Sequence, residues 1–276
     1  MRKLLRSEFA RLFRDKILLI SALVMFVAGT ALPVIHYLDN RNSGAAWTPD
    51  STLFTFAFIL PVLLAVFTSL FIGCEYSDGT MRNKLIVGHR RHNIYLVNLA
   101  VSVFAGFIMS AAYILPHTLL GFLLLGKADA SIKTIILYTL LVFALSVAFC
   151  AVFTLISMLC QNKAYSAAAC ILLTFALFFA GIRITSALNE PEYYSAYSFT
   201  ENGVTTSEDA APNPNYIGGT KREVYKFLKD FTSGGQVIQL ANMKSEHHRL
   251  LALYNGIILI TATSCGIVVF RRKDLR

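Results

Sequence analysis

Charge is scarce in this 276-residue chain: 15% of residues are Asp, Glu, Lys or Arg, 55% are hydrophobic, and mean hydropathy is +0.58. A soluble domain of this length could not hide so much apolar side chain in one core, so an ordinary soluble enzyme or binding domain is excluded. Patterned cysteine is absent as well. Cys74, Cys150, Cys160, Cys170 and Cys265 lie in or at the ends of apolar runs, with no CxxC and no His at ligand spacing. They read as small buried hydrophobes, and no metal centre is expected. The one long polar segment, residues 189–249, contains no Cys, so no disulfide framework holds it. No small-residue cleavage site closes a short apolar core near the N-terminus, so a removable leader is not expected. Catalytic constellations are missing too: there is no HExxH, no convergent Ser/His pair, and Glu75 is a lone carboxylate. The string from Gly121 to Gly126-Lys127-Ala128 nearly spells a phosphate-binding loop, but Ala stands where Ser or Thr should hold magnesium, and the string closes an apolar run. Neither an ATP site nor a cofactor is expected.

What the chain does have is long apolar runs. Residues 17–35, 53–74, 94–126, 132–159, 164–188 and 250–270 are each long enough to cross a hydrocarbon core of about 30 Å at about 1.5 Å per residue. The expected fold is an all-α polytopic membrane protein, one transmembrane domain over residues 1–276 with six spans. The third run is too long for one span, and Pro116-His117 interrupts it. A span from 94 to about 116 with a broken or tilted outer end is expected, with a re-entrant piece as the alternative. Ser102, Gly106 and Ser110, four apart, allow close helix packing.

Residues 1–16 place Leu5, Phe9, Leu12 and Phe13 at helical spacing among Arg2, Lys3, Arg6, Arg11 and Arg14, the pattern of an amphipathic helix lying in the interface against membrane lipid. Basic residues number six before the first span, four in the polar island 75–93, one at Lys163 and four at the C-terminus. That bias places both termini in the cytoplasm and residues 189–249 outside. The same distribution explains the net charge of +9 without nucleic acid as a partner, because the cations flank apolar runs. Segment 189–249 reads as irregular through Gly219. Val224, Phe227, Leu228 and Phe231, then Gly234-Gly235 and residues 237–240, suggest two short amphipathic helices forming an extracytoplasmic cap between spans five and six. Arg183 lies near the outer end of span five, where its side chain can reach headgroups or a substrate path.

The polar island is the most informative stretch. Between Gly79 and Gly88, residues 80–87 can form two helical turns, with Met81 and Leu85 on one face and Arg82, Asn83 and Lys84 around the rest. The run Gly73-x-Glu75-x3-Gly79-Thr80-x-Arg82-Asn83, with Gly88-x-Arg90, resembles the first cytoplasmic loop of ABC-2 type permeases, the membrane subunits of bacterial ABC exporters. The ending Gly266-x3-Phe270-x2-Lys273-Asp274-Leu275 and the run from Phe227-Leu228 to Ile238-Gln239 are similar to that family too. One departure is Asn98, where these permeases often carry Lys.

The resemblance implies a coupling helix that docks on a separate ABC ATPase subunit, with Glu75, Gly79, Thr80, Met81, Arg82, Asn83, Lys84 and Leu85 as its residues. Met81 and Leu85 would supply apolar contact, and Glu75 would pair with Arg82 or with a basic group of the N-terminal helix. It also implies a dimer with a second copy or a similar permease, a bacterial inner membrane location, and ATP-driven export of an amphipathic or hydrophobic substrate such as an antimicrobial peptide or drug. A non-transporting sensor or scaffold that binds peptides through its outer loop stays open as the alternative.

Overall fold

The computed structural model describes residues 1–194, 197–201, 204–208 and 210–273, with side chains for 1–194 and 210–273. The helices in chain order are α1 (Arg2–Leu12), α2 (Lys16–Ser43), α3 (Phe56–Ser77), α4 (Thr80–Ile86), α5 (Arg91–Leu124), α6 (Ile132–Cys160), α7 (Lys163–Asn189), α8 (Gly219–Phe231), α9 (Ser233–Ala241) and α10 (His248–Arg272). Six of them, α2, α3, α5, α6, α7 and α10, are long and apolar enough to cross a membrane. The chain is an all-α polytopic membrane protein, as its apolar runs dictate. Its core is formed by α3, α5 and α6, the most deeply buried of the six.

The third run is one continuous helix. Pro116 lies inside α5 and does not end it, so neither a break nor a re-entrant piece forms there. A proline removes one N–H and crowds the preceding turn, yet α5 continues through it. Gly29 of α2 lies so close that a Cβ on it would stand 2.5 Å from the Tyr113 carbonyl and 3.2 Å from the Pro116 ring. At 34 residues α5 is roughly 51 Å long, which carries it past the hydrocarbon core. The small residues sit where close packing needs them: Gly106 faces Leu64 of α3, and the Ser102 carbonyl accepts from Cys150 Sγ of α6 at 3.4 Å.

Between α7 and α8 an antiparallel hairpin pairs β1 (Tyr197–Glu201) with β2 (Val204–Glu208), in a stretch expected to be irregular. The two amphipathic helices that follow go beyond covering the end of the bundle. The turn between α8 and α9 enters it: a Cβ on Gly234 would lie 1.8 Å from the Leu177 carbonyl, and one on Gly181 would lie 2.5 Å from the Gly234 carbonyl carbon. Leu177 is twelve residues from the end of α7, roughly 18 Å along the helix. Polar backbone at that depth must find partners inside the protein. Thr232 Oγ1 accepts from the Gly235 N–H, Gln236 Nε2 donates to the Asp230 carbonyl at 2.8 Å, Gln239 Nε2 donates to the Lys229 carbonyl at 3.1 Å, and Asn255 Nδ2 of α10 donates to Gln236 Oε1 at 2.8 Å.

Candidate functional site

The polar island forms α4 and the turns on either side of it. Gly79 (φ +68°) and Gly88 (φ +91°) both adopt the left-handed conformation that costs an L side chain energy, and they bracket the seven-residue helix. Thr80 Oγ1 donates to the Glu75 carbonyl at 3.2 Å, which ties the start of α4 to the end of α3. Two further contacts fix that end of α3. A Cβ on Gly73 would lie 2.5 Å from Cβ of Lys163, so α3 and α7 touch backbone to backbone, and Tyr76 Oη donates to the Met158 carbonyl of α6 at 2.9 Å.

Beneath α4 lies a cluster of two carboxylates and two cations drawn from three helices. Glu75 Oε1 is 2.6 Å from Arg11 of α1 and 2.6 Å from Lys84 Nζ of α4. Lys84 Nζ also lies 2.6 Å from Glu8 Oε1, and Arg11 lies 3.1 Å from Glu8 Oε2. The four charges balance. Glu75 and Glu8 are almost fully shielded from solvent, whereas Arg11 keeps a third of its side chain exposed and stacks 3.7 Å over the Phe71 ring. Asn98 Nδ2 of α5 donates to Glu75 Oε2 at 3.4 Å and to the Ile94 carbonyl at 3.2 Å, so this Asn anchors α5 to the cluster with a neutral donor. Burial raises the pKa of Glu8, the charge of Glu75 raises it further, and Lys84 and Arg11 oppose both.

The two faces of α4 differ from the expected arrangement. Met81 is turned inward and is 1% exposed, and Leu85 packs partly buried against the same core. The outward apolar pair is Ile86 and Val87, at 74% and 77% exposure, beside exposed Arg82 and Asn83. Lys84 belongs to the buried cluster rather than to the solvent face. Of the two partners expected for Glu75, the structure selects the N-terminal helix through Arg11; Arg82 stays outside.

Glu8 and Asn98 carry weight that sequence reasoning did not assign them. The signal for Glu8 was its spacing: it lies four residues from both Leu4 and Leu12, and all three are buried on one face of α1. A carboxylate inside an apolar stripe needs a partner. Phe9 of that helix meets Phe104 of α5 edge to face at 5.0 Å, which seats α1 against the bundle.

The family model described as "ABC-2 family transporter protein" matches residues 4–181, from α1 through most of α7 and including the whole ion cluster. The chain belongs to the ABC-2 transporter family. A search of curated proteins gave no match. It is a multi-pass membrane permease of the ABC transporter class, a family that associates with an ABC ATPase subunit. The permease places its remaining candidate, Arg183, on the exposed side of α7. There it lines an open cavity of about 650 Å³ with Ser186, Glu190, Asn215 and Tyr225, and among the described residues it has no ion pair. The near-miss phosphate loop falls on the last turn of α5 and the residues after it, with helix rather than strand before it.

Proposed function

We propose that this permease is the membrane subunit of an ATP-driven exporter of amphipathic or hydrophobic molecules, such as antimicrobial peptides or drugs, and that α4 is its coupling helix. The observation that carries this reading is the two-sidedness of α4: one face is locked to α1 and α3 through buried ions, and the other offers Ile86 and Val87 between polar neighbours. A few buried apolar side chains usually carry most of an interface's energy, while rim charges tune it. In this reading Ile86 and Val87 enter a groove of the ATPase, Arg82 and Asn83 sit at the rim, Gly79 and Thr80 set the helix angle, and Met81, Leu85, Lys84 and Glu75 transmit the displacement to α3 and α1. The functional units are the interfacial helix 1–16, the coupling loop 75–93 and the extracytoplasmic segment 189–249.

Both termini then lie in the cytoplasm of a bacterial cell and the α8–α9 hairpin opens outward. A second permease copy completes the path. What supports it is α7, whose exposed Tyr165, Leu172 and Phe179 recur every seven residues, with Phe175 and Ile182 three residues after Leu172 and Phe179, giving a continuous face that includes Arg183 near its end.

The test is co-purification of the ATPase with the permease, with turnover and transport measured at equal expression. Ile86→Ser with Val87→Ser should lower ATPase recovery by at least about tenfold, while Arg82→Ala changes it only a few-fold. Normal binding and coupled turnover in the double variant would refute the docking assignment. Orientation is read separately: in a Cys-free background a thiol at Glu192 should label from outside intact cells and one at Arg82 only after permeabilisation.

A further inference from the structure

Where α5 begins and α10 ends, four side chains that carry or can carry positive charge meet around one cavity. Arg90, Arg91, His92 and Arg271 line a shallow, largely open space of about 450 Å³. Among the described residues no carboxylate lines it and none of the four forms an ion pair. Guanidinium groups stay charged at any physiological pH, so three converging arginines repel one another unless an anion is present.

The site is held by rigid elements. Arg91 donates to the Phe270 carbonyl at 3.0 Å and to the Lys273 carbonyl, and Lys273 Nζ donates to the Leu159 carbonyl of α6, so the end of α10 is pinned to both α5 and α6. Arg91 is thereby spent on structure. Arg90 and Arg271 are exposed, and among the described residues neither has an ion-pair partner, which leaves their guanidinium donors to a ligand. Arg90 is also the N-cap of α5 and makes no side-chain capping bond, so the first amides of a 34-residue helix add their positive end to the same space.

Position decides which anion. The cavity lies where the apolar part of α5 starts, at Ile94, and where that of α10 stops, at Phe270, which is the level of the headgroups. Val268 lies one turn before Arg271 on the same face of α10 and is 52% exposed, with Val269 beside it. A ligand that satisfies both features has a phosphate at one end and hydrocarbon at the other. We propose that this cavity binds the headgroup phosphate of an anionic phospholipid, with Arg90 and Arg271 as its donors and an acyl chain along Val268. Basic pockets between helices at a membrane surface suit such headgroups, and the guanidinium fork matches two phosphate oxygens. The site rests on the membrane fold alone and is independent of the docking role of α4.

Native mass spectrometry of the full-length purified protein tests it, titrating phosphatidylglycerol and, in parallel, phosphatidylcholine and inorganic phosphate. Wild-type protein should retain phosphatidylglycerol in preference to phosphatidylcholine. Arg90→Gln with Arg271→Gln should weaken phosphatidylglycerol at least about tenfold, and Arg2→Gln with Arg6→Gln, which removes the same charge from the exposed face of α1, should change it less than about twofold. Arg90→Lys with Arg271→Lys, which keeps the charge and loses the fork, should fall between the two. Equal weakening by the α1 pair would reduce the effect to general surface charge and overturn the site. Equal retention of phosphatidylcholine would overturn it also, and displacement of the lipid by inorganic phosphate at matched concentration would assign the cavity to a soluble anion instead. Thermal denaturation of each variant is recorded alongside; if the double Gln protein does not fold, Arg271→Gln alone is read the same way, with loss of about fivefold expected and no loss refuting the proposal.

Discussion

Two short helical segments that do not cross the membrane are fastened to this bundle, and they are fastened by opposite means. At one end α4 is held by Glu8, Arg11, Glu75 and Lys84, four full charges within contact of one another. At the other, the deep side of the α8–α9 turn is held by Gln236, Gln239 and Asn255, amides without charge, and the carboxylate of the joint, Asp230, lies 3.0 Å from Nδ1 of the exposed His247 at its outer rim. The difference follows depth. Arg11 still reaches water, so the ions are not wholly desolvated, and the two carboxylates and two cations compensate one another. The Gly234 turn lies next to the middle of α7, where a charge would have no such escape and a neutral amide can satisfy backbone carbonyls at far lower cost.

The largest expected effect breaks the deep joint sterically. Gly234→Val places atoms where the Leu177 carbonyl already stands, and neither backbone can yield without pulling the hairpin out of the bundle. A destabilisation on the order of 4 kcal/mol or more is expected, read as loss of a monodisperse peak in size-exclusion chromatography. Normal elution and melting would mean that the hairpin does not enter the bundle at all.

A paired experiment then compares charge with depth. Glu75→Ala leaves Arg11 and Lys84 to share Glu8, and removing one member of a buried ion set costs about 3–5 kcal/mol, taken here near the low end because Arg11 is partly hydrated. Gln236→Glu is nearly isosteric and leaves the ion cluster untouched, yet it puts a carboxylate at a fully buried position and should cost about 2–3 kcal/mol. Adding Lys84→Met to Glu75→Ala should restore part of the loss by rebalancing charge, whereas no single charge change nearby should rescue Gln236→Glu. Thermal melting in detergent separates these outcomes. Equal tolerance of a carboxylate at both joints would remove depth as the explanation.

How much of this was legible in the sequence divides along the same line. Six spans could be read because apolar runs of that length have few other uses, and the Gly79 and Gly88 boundaries of α4 could be read because glycine marks the turns. The direction of each face was less visible. Met81 and Leu85 were expected to meet a partner, since an apolar stripe on a short helix does not say which side its own bundle occupies; that bundle covers Met81 and leaves Ile86 and Val87 free. Glu8 was passed over because a charge inside an amphipathic stripe is easily read as an interruption. A broken or tilted outer end was expected at Pro116, and no local rule reveals that α5 runs on through it with Gly29 leaving room beside the ring. The pairing of β1 with β2 had a local signal, Asn202-Gly203 between residues of good strand propensity, that a reading by composition as an irregular loop discards.

A third joint tests the rule at the membrane edge opposite α4, with the smallest effect. Asp50, in the connection between α2 and α3, accepts from the backbone N–H groups of Asp129 and Ala130 at 3.0 Å each and so clips two loops together. Burial works to raise its pKa, but these N–H groups and the Thr48 hydroxyl outweigh burial and hold the carboxyl below its ordinary value. Water is near, so depth permits an ion here, and the joint should behave like the α4 cluster on a smaller scale. A carboxylate whose pKa is lowered by folding contributes stability that is complete above its ordinary value of about 4 and is lost as pH falls through the lowered value. Asp50→Asn keeps one acceptor oxygen and removes the charge, so at pH 7 it should cost about 1–2 kcal/mol, seen as a small drop in melting temperature. As pH falls below about 4 the wild-type protein should lose this advantage and the two melting curves should converge. A gap that stays constant from pH 7 to pH 3 would show that the clip works through shape rather than charge, and the edge joint would then belong with the amide-held hairpin instead of the ion-held helix.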